Sequence, residues 1–202
     1  MADSLTEIIT NRRSVRRYQN RPVDAALIWQ VLEAARWAPS PHGRMPWRFA
    51  VLTRPEPKQA LAEAMGAEWR RQLAFDGQDT TVIETRARKS HERIILAPAI
   101  IIPCLYGGDL DVYPDADRNT AEATMAVQSL GCAVQNMLLM AHNLGLDCGW
   151  MCAPLFCPEI VVAALDLDPA LTPHALITLG YAAAGPVRRE RRPLAEIVVR
   201  FD

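Results

Sequence analysis

The chain has 202 residues, of which 50% are apolar and 22% charged, and its 22 basic and 23 acidic residues leave a net charge of −1. That length suits one domain over residues 1–202, large enough to bury a sizeable core without disulfides or metals. The near-neutral balance argues against a nucleic-acid binder, and no run approaches the roughly 18 apolar residues that span a bilayer. Met1-Ala2-Asp3-Ser4 has neither a basic stretch nor an apolar one behind it, so a cytoplasmic protein is expected.

In chain order, Asp3 or Ser4 caps a short helix through Asn11, and Asp24 caps a second helix to about Trp37 with Leu27, Ile28, Val31, Leu32 and Ala35 as its stripe. Pro39, Pro41 and Pro46 force an irregular loop, since each lacks an N–H and fixes φ. A strand follows over 47–53, then two amphipathic helices over 57–75 and 80–96, broken near Asp76-Gly77. The apolar run from Ala97 to Tyr106 reads as a buried strand. After an acidic loop, a helix from about Asn119 to Asn143 is apolar nearly all round and so central to the core or to a partner subunit. Cys148–Met151 is read as a strand, 158–165 as a helix, 174–181 as a strand and 197–201 as a last β-like segment. Strands separated by long helices predict a three-layer α+β fold with a central mixed sheet flanked by helices.

Twenty of the 22 basic residues are arginine, and ten lie at the two ends: Arg12, Arg13, Arg16, Arg17 and Arg21, then Arg188, Arg189, Arg191, Arg192 and Arg200. Two guanidinium clusters on a near-neutral chain suggest a small anionic ligand met by both termini; a solvated basic face is the plainer alternative. Five cysteines with no export signal predict free thiols. Cys148, Cys152 and Cys157 lack the paired spacing and histidines of a zinc site and are read as structural, with Cys157 open to weak activation by the helix it begins. The four histidines are scattered, and no hydrolase elbow, P-loop or dinucleotide fingerprint is present.

Two patterns stand out: Arg12-Arg13-Ser14-Val15-Arg16-Arg17-Tyr18, in which guanidiniums flank a hydroxyl as phosphate binding favours, and the rigid loop Pro39-Ser40-Pro41-His42-Gly43-Arg44-Met45-Pro46-Trp47. With AVQNMLLMAHNLGLDCGW and the closing LGYAAAG…RRERRPLAEIVV, they resemble, end to end and in order, the FMN-dependent nitroreductase family. More narrowly, APSPHGRMPWRFAVL, LAPAIIIPCL, YPDADRNTAEATM and FCPEIVVAALDL look like the C-terminal reductase domain of the bifunctional ligase-reductase of coenzyme F-420 biosynthesis, here standing alone.

The resemblance implies an intertwined homodimer with exchanged tails and two FMN at the interface. It places Arg12, Arg13, Ser14 and Arg16 on the FMN phosphate and ribityl chain, and Arg189 and Arg191 of the tail on the same phosphate. Pro39, Ser40, Pro41, His42 and Gly43 would pack near the flavin from the other subunit. Met151, Cys152 and Ala153 match the place where a backbone N–H approaches flavin N5, while Arg93 and Ser90 match ring contacts. Gly43 and Met45 stand where many nitroreductases have Asn and Gln, and Pro41-His42 instead resembles the F-420 branch. The implied activity is ping-pong hydride transfer from a small-molecule donor to a small-molecule acceptor, with no obligatory catalytic side chain and no metal. The acceptor in the narrower resemblance is dehydro coenzyme F-420, its phosphate and carboxylates met by Arg44 and Arg48. The alternatives are a broad-specificity NAD(P)H nitroreductase or quinone reductase and a non-catalytic flavin-binding protein.

Overall fold

The computed structural model describes residues 4–185 and 190–202. Its helices are α1 (Leu5–Asn11), α2 (Ala25–Arg36), α3 (Pro55–Phe75), α4 (Thr80–Ile95), α5 (Ala116–Asn143) and α6 (Pro158–Ala164). Its strands are β1 (Trp47–Leu52), β2 (Ala99–Tyr106), β3 (Asp147–Met151), β4 (Leu171–Pro173) and β5 (Leu176–Gly180). The caps follow the side-chain chemistry expected of them. Ser4 and Glu7 close a reciprocal capping box on α1, while Asp24, Asp79 and Asp115 each accept a backbone N–H at the head of α2, α4 and α5.

The sheet runs β1-β2-β5-β3, with β4 also paired to β2, and every one of these pairings is antiparallel. The parallel component of the expected mixed sheet comes down, among the described residues, to the bridge between Ser14 and Cys148. Strand β2 shows why three layers form. Ala99, Ile101 and Leu105 face a core shared with α2 and α5, while Ile100, Ile102 and Cys104 face a second core shared with α3, α4 and α6. A strand covered on both faces needs no polar alternation, which is why 97–106 reads as one continuous apolar run.

Two expectations are corrected. Residues 197–201 form no strand within the chain: a 3₁₀ turn at Leu194–Glu196 is followed by exposed, irregular backbone with no sheet edge beside it to supply hydrogen bonds. Strand β4 was not expected, because three residues ending in proline are too short to show a period. Helix α5 starts at Ala116 rather than near Asn119, and it is not buried all round. Val127 and Cys132 are exposed on its outer side. Among the described residues no helix is long and apolar enough to cross a membrane.

Candidate functional site

The segment after α1 is stitched to β3 at one point and to the residues that follow β5 at two. Val15 N–H donates to Cys148 O at 2.8 Å, Gln19 N–H to Tyr181 O at 2.8 Å, and Ala183 N–H to Arg17 O at 3.0 Å. Tyr18 Oη donates to Val15 O at 2.7 Å and lies 2.7 Å from Thr178 Oγ1, which pins the segment to β5 from below. Burial pushes the Tyr18 hydroxyl's pKa well up, so it stays protonated as a donor. Gly149 makes the close approach possible: a Cβ there would lie 2.4 Å from Val15 O and 2.7 Å from Thr178 Oγ1.

This stitching presents Ser14 and Arg16 on the exposed side, with Arg12 half-buried beside them. Arg12 and Arg16 have no carboxylate partner among the described residues. Arg13 is otherwise engaged. Its guanidinium donates to Thr10 O at 2.6 Å and Arg12 O at 2.7 Å, closing the carbonyl end of α1.

Past the other end of β3 opens a cleft of about 860 Å³. Met151, Cys152 and Ala153 form one side, Ser90 and Arg93 of α4 another, and Met65, Glu68, Trp69 and Gln72 of α3 a third. The strand rise of about 3.3 Å per residue puts the Ser14–Cys148 bridge about 10 Å from Met151. Ala153 opens a 3₁₀ turn over Ala153–Phe156 in which Pro154 has no N–H and Leu155 N–H is bonded to Cys152 O at 3.1 Å. The Ala153 amide, on an exposed residue, is therefore the donor this turn leaves to the cleft. Cys152 is exposed in the cleft, whereas Cys148 is buried. The weak activation expected of Cys157 is corrected: it too is buried, and burial, with the Glu68 and Glu159 charges, pushes its thiol up.

The proline-rich loop lies elsewhere. None of residues 39–48 lines the cleft. His42, Gly43 and Met45 all adopt positive φ, at 55°, 66° and 50°, a strained sequence for the two that carry a Cβ. Ser40 Oγ accepts Met45 N–H at 3.0 Å inside the loop. A Cβ on Gly43 would meet nothing within 4 Å, so the glycine serves the left-handed backbone and makes no close approach within this chain. Arg44 clasps Asp111 through both carboxylate oxygens at 2.8 Å and donates to Asp109 O at 3.1 Å. Arg48 pairs with Asp109 at 2.9 Å and lies over the Tyr106 ring. Both arginines expected to meet substrate thus hold the acidic loop of their own chain. An incoming anion would have to displace those carboxylates.

Of the sequence-expected residues, the structure brings Arg93, Ser90, Met151, Cys152 and Ala153 to one cleft and Arg12, Ser14 and Arg16 to the strand that leads into it. Pro39–Gly43 stand apart, Arg191 is exposed on the tail, and Arg189 lies outside the described residues. Sequence reasoning missed Met65, Trp69, Gln72 and Phe156. The first three were legible as one face of α3 by their spacing of three and four, though nothing in that spacing tells a cleft wall from a core face. The donor set fits a ligand with a phosphate at one end and a flat ring at the other. Two unpaired guanidiniums and a hydroxyl sit at one end of β3; an amide, Arg93 and apolar walls sit at the other.

The chain is similar to known proteins over most of its length. The Nitroreductase family model matches residues 9–181. A Thermus thermophilus protein named NADH dehydrogenase is 29% identical over 193 residues, covering 93% of this chain and 91% of its own length. A crystal structure from Desulfovibrio desulfuricans, described as a nitroreductase in complex with FMN, covers 100% of this chain and 99% of its own at 28% identity and a TM-score of 0.75. A BluB-like flavoprotein from Clostridium difficile shares the fold at a TM-score of 0.82 and 22% identity, covering 99% of this chain and 100% of its own. The family match over most of the chain, together with a fold that has the same layers end to end, shows that this protein belongs to the Nitroreductase family of oxidoreductases.

Proposed function

We propose that the chain is an FMN-dependent oxidoreductase that works as a homodimer. The observation that carries this reading is β3 itself, flanked by the Arg12–Arg16 segment at one end and opening at Met151–Ala153 into a cleft of about 860 Å³ at the other. When bound, FMN supplies the hydride-transfer chemistry. Arg12, Ser14 and Arg16 hold its phosphate and ribityl chain, with Arg189 and Arg191 of the tail reaching the same phosphate. Arg13 contributes there only by giving up its bonds to Thr10 O and Arg12 O. The Ala153 amide and Arg93, which line the cleft, would stabilise negative charge on a ring bound there.

Dimerisation is supported by apolar surface left over in one chain. Ile28, Trp29, Leu32, Trp47, Phe49 and Val51 line a groove of about 570 Å³ between α2 and the edge strand β1. Val199 and Phe201 on the tail are 98% and 94% exposed. A second copy would cover these surfaces and bring its Pro39–Gly43 loop to the cleft, which the loop of the same chain does not reach.

A broad NAD(P)H-dependent reductase of nitro compounds is the reading of donor and acceptor supported by the names of relatives, an NADH dehydrogenase and an NADH dehydrogenase/NAD(P)H nitroreductase of Methanothermobacter thermautotrophicus, while quinones as acceptors rest on the resemblance alone. Reduction of dehydro coenzyme F-420 rests on the resemblance of the Pro41-His42 loop and neighbouring segments, and the Asp111 and Asp109 partners of Arg44 and Arg48 count against their meeting its anionic groups unaided. Purified protein should carry FMN, identified by absorbance and mass; colourless protein that fails to bind added FMN overturns the flavin reading. NADH or NADPH should reduce the bound flavin in a stopped-flow experiment; reduction by no physiological donor would instead mark a flavin-binding protein. Saturable turnover of dehydro coenzyme F-420, lost in Arg44→Ala and Arg48→Ala, would select the narrower acceptor.

A further inference from the structure

The turn that carries the Ala153 amide is short and held at few points. Leu155 N–H bonds Cys152 O and Cys157 N–H bonds Pro154 O, both at 3.1 Å, and Cys157 Sγ lies 3.8 Å from Ala153 O. All three of these bonds lie within residues 152–157; burial of Pro154 and Cys157 anchors the inner side of the turn and leaves its Phe156 end exposed at the cleft. A fourth bond crosses the molecule. Gln72 Nε2, on α3, donates to Phe156 O at 3.2 Å. The same nitrogen donates to Glu68 Oε1 at 2.8 Å, one helical turn earlier. Glu68 Oε1 also receives Arg71 Nη2 at 2.6 Å, while Glu68 Oε2 receives Arg71 Nε at 2.8 Å.

The carboxylate thus fixes which end of the Gln72 side chain faces the turn. An oxygen of Gln72 in that place would meet two acceptors, so only the amide nitrogen satisfies the geometry. These donations from Arg71 and Gln72 hold the Glu68 carboxyl down at about 2, so the clasp persists across the working pH range. Glu68, Arg71, Gln72 and Phe156 all line the cleft that Met151, Cys152 and Ala153 floor.

We propose that Gln72, oriented by Glu68, is a positioning residue that sets the Ala153–Phe156 turn against α3 and thereby aims the Ala153 amide at the cofactor ring. The inference rests on the flavin reading above and adds to it a named control over how strongly this site stabilises negative charge on the ring. An amide donor acts through distance and angle. A turn released from α3 withdraws its dipole from the charge that develops on reduction, and the oxidised state becomes favoured.

The test compares FMN-loaded wild type with Gln72→Leu, which keeps the side chain's size and removes both donations. The midpoint potential of the bound flavin should become more negative and its reduction by NADH or NADPH slow about fivefold, as expected for one well-placed hydrogen bond. FMN affinity should change less than about twofold, since the arginines at the far end of β3 are untouched. Arg70→Gln, which breaks the Arg70–Glu84 pair on the α4 side of the same helix, should leave the potential in place. Should Gln72→Leu not fold, Gln72→Met, which fills similar space with no donor and no change of charge, serves in its stead with a shift in the same direction. An unchanged potential in Gln72→Leu, or an equal shift in Arg70→Gln, overturns the proposal. Failure of the wild type to bind FMN would instead overturn the flavin reading.

Discussion

At Gly149 a single hydrogen decides whether the arginine segment can lie on β3. Gly149→Ala would drive a Cβ to 2.4 Å from Val15 O, and because that contact is backbone it cannot rotate away. The substitution should cost about 1–3 kcal/mol in urea denaturation. It should also weaken FMN binding, measured by fluorescence titration, because Ser14 and Arg16 move with Val15. Tyr18 gives a second prediction. Its pKa is raised in the folded state by burial, so its contribution to stability is complete below the unfolded value of about 10 and is lost as pH rises beyond it. Wild type should therefore lose stability above about pH 10 more steeply than Tyr18→Phe in denaturant melts. At lower pH, Tyr18→Phe should be the less stable by about 1 kcal/mol, having lost the bond to Val15 O. The arginine-hydroxyl pattern was legible at this scale, and the role of Arg13 was not. Five guanidiniums near the N-terminus look alike in sequence, and only the end of α1 shows that Arg13 closes a helix.

Elements meet through a few polar contacts set in an apolar frame. Lys58, buried in the first turn of α3, donates from Nζ to Ala97 O at 2.8 Å, where the chain passes from α4 into β2. Lys58→Met keeps the aliphatic stem and leaves that carbonyl without its donor, so a loss of about 1–2 kcal/mol is expected in thermal or chemical denaturation. The loop pairs Arg44–Asp111 and Arg48–Asp109 are partly exposed, and their coupling should shrink with added salt. A double-mutant cycle with Arg44→Met and Asp111→Asn, run at low and high salt, should show a favourable coupling that falls as salt rises. Most helices and strands were legible because the periods are strong. β2 was readable as a continuous apolar run, and α2 by its capping aspartate and stripe. β4 escaped because pairing to β2, not local propensity, is what makes it a strand.

For the molecule as a whole, the unburied apolar surface carries the largest prediction. Trp29, Val199 and Phe201 are exposed apolar side chains, and the proposed dimer would take them out of water. Light scattering should report a dimer, and removal of residues 194–202 should shift it toward monomer and weaken FMN retention. A tail-deleted protein that stays fully dimeric and holds FMN as the wild type does would show that the tail takes no part.

The sequence by itself determined the layered α+β architecture and the arginine-hydroxyl segment that lies on β3, because hydrophobic period, caps and arginine spacing are local properties, while the resemblance of its motifs, in order, pointed to the family. Tertiary structure decided which of those residues meet. It placed Met151–Ala153 against Arg93 and Ser90, brought in Gln72 and Trp69 of α3, and left Pro39–Gly43 of the same chain out of the cleft lining. It also paired Arg44 and Arg48 with Asp111 and Asp109. Charge balance in a sequence counts ions without saying who neighbours whom, and only folding makes Arg13 a helix cap and Arg44 and Arg48 loop clasps while it leaves Arg93 at a cofactor-sized cleft.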